Sequence, residues 1–167
     1  MALNVEMVSK RRKGLSESKT VVLAPWTKQV DQRLDVAIDD VTVPTVKNPR
    51  LLGVLLDPTF TFNAHAVHVA RKCSSRLNLM RALSDTSFGH DKEVLLSTYK
   101  TYIRSVMDYA APVVFPNYSA SSIKRLQLIQ NKALRLALGC HTAASVDHLH
   151  WEALELPVGD HLRLLSA

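Results

Sequence analysis

At Asn63 the spacing of apolar residues changes from about two to about 3.6, and that change constrains the fold more than any composition figure. Before it, short β-type runs at 20–24, 34–38, 41–46 and 51–56 are punctuated by Pro25, Pro44, Pro49 and Pro58. Asp39-Asp40 has the length and residue type of a two-residue hairpin turn. After it, Ala66, Ala70, Cys73, Leu77 and Met80 fall on one stripe and predict a helix over 63–84. Leu96, Tyr99, Ile103 and Val106 predict a second helix over 91–110, closed by Pro112. Ile123, Leu126, Ile129, Ala133 and Leu136 predict a third over 120–138, with Ser119 or Ser121 as N-cap and Gly139 beyond its end. A weaker amphipathic segment over 146–165 is interrupted at Pro157. The expected fold class is α+β, mainly α: a small antiparallel β element within 1–62, then a helical bundle over 63–167. Residues 2–13 read as the last turns of a helix stopped at Gly14 and are expected to fray.

The net charge of +6 is unevenly spread. Residues 1–50 carry nine Lys/Arg against six Asp/Glu, residues 60–140 eleven against four, and residues 141–167 one against four. A basic centre (+7) with an acidic tail (−3) suits a polyanionic partner, because each neutralised phosphate releases condensed counterions. The bland counterpart is a solvated basic surface. No apolar run approaches the roughly 20 residues of a membrane span, and the N-terminal residues lack a signal-peptide pattern. An intracellular protein, nuclear or cytoplasmic, is expected. Cys73 and Cys140 are far apart, outside any CxxC pattern, and read as reduced thiols.

Five stretches then fall into a familiar order: GLSESKTVVL at 14–23, LLGVLLD at 51–57, LLSTYKTYIRSVMDYAAPVVF at 95–115, LQLIQNKALRLALGC at 126–140 and HLHWEALELPVGDHL at 148–162. Together they resemble the C-terminal part of non-LTR (LINE-type) retrotransposon reverse transcriptases. The first is similar to the segment after the catalytic hairpin, the second to the primer-grip strand, the third and fourth to helices of the thumb, and the last to the tail. The resemblance implies an end-of-palm and primer-grip region over 1–62 and a thumb-like helical domain over 63–167. That family's catalytic aspartates lie upstream of the segment matched at Gly14, so the resemblance implies a truncated piece without the catalytic palm. No catalytic residue is expected in this chain, no metal site, and no cofactor; Mg²⁺ is expected only for the missing palm. The expected partners are an RNA or RNA–DNA template–primer duplex and that palm, with no membrane.

The resemblance assigns Lys19 to a lysine near the leaving group, Gly53 to close backbone approach by a primer, and the thumb cations to the duplex backbone. Those cations, Arg71, Lys72, Arg76, Lys100, Arg104, Lys124, Arg125, Lys132 and Arg135, lie off the apolar stripes. Such side chains would contact phosphates and sugars without reading sequence. Against each stands a plainer reading: a surface lysine, tight packing at a strand glycine, and a solvated helix face. Asp39-Asp40 follows the Lys-Thr segment instead of preceding it, so it reads as an acidic turn, not a two-metal site. Cys140, His141, His148 and His150 match no common zinc spacing. The competing function, from a different class, is a non-catalytic helical protein-interaction module derived from a retroelement remnant.

Overall fold

A computed structural model describes residues 20–23, 36–38, 41–84 and 91–167. The predicted helix end at 2–13, Lys19 and the Asp39-Asp40 turn lie outside the described residues. The chain divides between Thr59 and Phe60 into two compact units.

In the first unit, β1 (Val36–Ile38) pairs antiparallel with β2 (Val41–Val43), with Ile38 opposite Val41. Thr45, just beyond, forms an isolated parallel bridge with Val22. The run at 51–56 is not the single strand that its apolar character predicts. It is a tight hairpin, β3 (Arg50–Leu51) against β4 (Val54–Leu55), turning at Leu52-Gly53. Both turn residues take positive φ, 47° and 85°. That is the pattern of hairpin turns whose twist matches the flanking strands, and Gly53 can adopt it because it has no Cβ. Leu52 is not a usual turn residue, so it hid the turn inside an apolar run. Asp57 closes the hairpin's exit: its Oδ1 accepts from the Thr59 amide at 3.2 Å and the Thr59 hydroxyl at 2.8 Å.

The second unit is helical. Its elements are α1 (Asn63–Ser84), α2 (Lys92–Thr98), a π-helical stretch (Tyr99–Arg104), α3 (Ser105–Asp108), α4 (Ala111–Val114), a 3₁₀ turn (Phe115–Asn117), α5 (Ala120–Leu138), α6 (Val146–Ala153) and α7 (Val158–Leu165). The predicted stripe of α1 is buried throughout, from Ala66 to Met80. On α5, Leu126, Ile129 and Ala133 are buried as expected, joined by Leu134 and Ala137.

The second predicted helix needs a correction. Its fully buried residues are Leu95, Tyr99, Ile103 and Met107, whereas Leu96 and Val106 are only partly buried. A strict spacing of four drifts about 40° per step around an α-helix of 3.6 residues per turn. A π stretch takes up an extra residue per turn and brings the stripe back onto one face. The π stretch thus keeps the stripe of the continuous rod made by α2, the π stretch and α3 (Lys92–Asp108) aimed at the core.

α5 is the centre of the unit: α1 packs along it, and α6 and α7 close on it. Ser119 caps α5, its Oγ accepting from the Ser122 amide at 3.2 Å, while Gly139 ends the helix at φ 63°. The Ser122 hydroxyl donates to Asn63 Oδ1 at 3.0 Å, so α1 and α5 start from a common end. Among the described residues no helix is long and apolar enough to cross a membrane.

Candidate nucleic-acid interface

The nine cations that lie off the apolar stripes fall into two groups. Arg71 and Lys72 on α1, and Lys124, Arg125 and Lys132 on α5, are exposed. Their exposure follows from periodicity, because each sits between residues of a buried stripe. Lys124, Leu128 and Lys132 follow one another at four-residue spacing along the outer face of α5, and Leu128 is exposed between the two lysines. Charges held this way on a rigid helix can meet phosphates from one direction.

The other four are engaged within the chain. The Arg76 guanidinium lies 4.3 Å above the centre of the Tyr102 ring and donates to the Tyr102 carbonyl. Arg135 Nη2 donates to the Ala144 carbonyl at 3.2 Å, bracing the loop after α5. Lys100 Nζ stands 3.0 Å from Glu155 Oε1, and Arg104 pairs with Glu155 Oε2. The Glu155 side chain is 1% exposed and that of Arg104 17%, so this is an interior cluster. Arg104 also reaches Asp108 and His161. Because a guanidinium only donates, His161 Nδ1 accepts from it, leaving Nε2–H to face Asp108 Oδ1 at 3.0 Å.

The sequence reading missed a second polar cluster, between α5 and the tail. Gln130 Nε2 donates to the Leu156 carbonyl at 2.9 Å, and the Val158 amide donates to Gln127 Oε1 at 2.8 Å. His150 is buried; its Nδ1 donates to the Glu155 carbonyl at 2.9 Å, and its Nε2 lies 3.0 Å from Gln127 Nε2. Asn131 Oδ1 accepts from Gln127 at 2.8 Å. The Gln-Asn of the fourth stretch and the second His of the fifth therefore latch the tail to α5 through buried, hydrogen-bonded groups. One signal was present: Gln130 and Asn131 stand amid Ile129, Ala133 and Leu134, where polar side chains must find partners.

The remaining sequence candidates scatter. Gly53 sits in the hairpin turn of the first unit. Cys140, His141 and His148 are exposed, apart from the latched His150. Among the described residues no three His, Cys, Asp or Glu side chains gather as a metal ion requires.

Against this geometry the comparisons with known proteins can be set. The chain is 30% identical over 136 residues to a Drosophila melanogaster protein described as "Probable RNA-directed DNA polymerase from transposon X-element". The match takes in 79% of this chain and 14% of that protein. No protein-family model matches the chain, and no solved structure matches it. The chain is thus similar to a stretch of a transposon-encoded RNA-directed DNA polymerase.

Proposed function

We propose that this chain is the thumb and primer-grip part of a non-LTR retrotransposon reverse transcriptase and holds the backbone of a template–primer duplex. The carrying observation is the set of five exposed cations on two long helices that share one starting end, in a chain similar to a polymerase segment. Lys100 keeps a half-exposed ammonium and can add to the set; Arg104 and Arg135 act from within, holding the fold that presents it. Lys19 and Gly53 would serve the primer side. The nucleotide chemistry, with its Mg²⁺, belongs to a palm outside this chain.

Two outcomes test the reading. Binding to an RNA–DNA hybrid should be tolerant of sequence and fall by about 0.7–0.9 in log affinity per phosphate contact for each log unit of salt. Replacing the exposed Lys124, Arg125 and Lys132 together by Glu should flatten that slope, whereas reversing Glu152 should not weaken binding. A threefold variant that holds the hybrid unchanged at about 100 mM salt overturns the proposal. In that event the exposed Trp151, Leu154 and Leu156 of the tail favour the second reading, a protein-docking module. On the first reading the chain alone extends no primer, with Mg²⁺ or Mn²⁺ supplied. Template-dependent extension that disappears in Asp39→Asn would sink it, since it would make the acidic turn a metal-binding pair.

A further inference from the structure

The π stretch leaves Tyr102 in an unusual setting. Arg76 covers one side of its ring at 4.3 Å, yet the residue stays 39% exposed. Its neighbours along the helix include small hydroxyl residues, Thr98 and Thr101 before it and Ser105 after. Each folds its hydroxyl back onto a carbonyl one turn earlier, at 2.8 Å to Val94, 2.9 Å to Ser97 and 2.6 Å to Thr101. An aromatic ring backed by a guanidinium, with an open flank, is how proteins stack an unpaired base. If Arg76 served only to tie α1 to the rod, its bond to the Tyr102 carbonyl would suffice without the ring.

We propose that Tyr102, held by Arg76, is a stacking platform for an unpaired nucleotide of the template strand next to the duplex. This rests on the duplex-holding reading and adds to it a contact with single-stranded nucleic acid. The test uses the full chain and two probes: a blunt RNA–DNA hybrid, and the same hybrid with a single-stranded template overhang. The unaltered chain should prefer the overhang, and Tyr102→Leu should cost at least about fivefold in affinity for it while leaving the blunt probe alone. Tyr102→Phe, which keeps the ring, should behave as the unaltered chain. Should Tyr102→Leu fail to fold, the added emission of Tyr102→Trp over the parent chain should be quenched by the overhang probe and not by the blunt one. No preference for the overhang, a preference that survives Tyr102→Leu, or an unquenched Tyr102→Trp overturns the platform while leaving the grip in place. Failure to bind either probe overturns both.

Discussion

Glu155 is the residue on which the helical unit turns. Its carboxylate, 1% exposed, meets Lys100 and Arg104 from the rod, while its backbone carbonyl accepts from His150. Its amide donates to the His150 carbonyl at 3.0 Å, the closing bond of α6, so one residue ties tail, rod and latch together. Removing the charge of Glu155 leaves Arg104 largely enclosed, with Asp108 as its remaining counter-charge among the described residues. Glu155→Gln should therefore cost about 3 kcal/mol, the low end for breaking a buried pair because Arg104 keeps some solvent. Replacing Arg104 and Glu155 together by Met should cost less than Glu155→Gln alone. Urea titrations of the two variants check this, and equal losses would show that the pair is not what stabilises the tail. Nothing in the sequence marks Glu155 as interior, since a glutamate in an acidic tail reads as solvated until its partners are seen.

At the scale of elements, α5 carries its boundaries in local chemistry. Its predicted bounds, 120–138, are those observed, because Ser119 and Gly139 have side-chain and backbone properties that act within one turn; α1 spans the predicted 63–84. The break at Pro157 likewise separates α6 from α7. Two elements were misread, both where the backbone departs from a regular period. An α period predicts Leu96, Tyr99, Ile103 and Val106 inward; Tyr99 and Ile103 are there, but with the π stretch Leu95 and Met107 join them in place of Leu96 and Val106. The hairpin at 50–55 was read as one strand because Leu52 concealed a turn of positive φ. An extra residue in a helix or a turn in an apolar run depends on what the flanking segments pack against.

For the whole molecule, the helical core holds groups that ionise only at a cost. Burial pushes the Cys73 thiol from 9.0 up to about 11, and raises the Tyr99 and Tyr118 hydroxyls as well. A group raised by folding stabilises fully below its unfolded value and loses that contribution as pH climbs to the folded one. Stability should thus fall between pH 9 and about 11, and Cys73→Ala, although less stable at neutral pH, should show a shallower fall. Denaturant midpoints across that range measure it; parallel curves for the two chains would remove Cys73 from the account. The sequence by itself determined the helical character after Asn63, the α+β class, the core stripe of α1 and the centre of that of α5, and which cations lie off them, because periodicity and caps act over a few residues. Only the tertiary structure decided which cations are free. Whether Arg125 faces water or Arg104 is spent on Glu155 depends on side chains 51 positions apart, and such a pairing is made when α5, the rod and the tail close around one another.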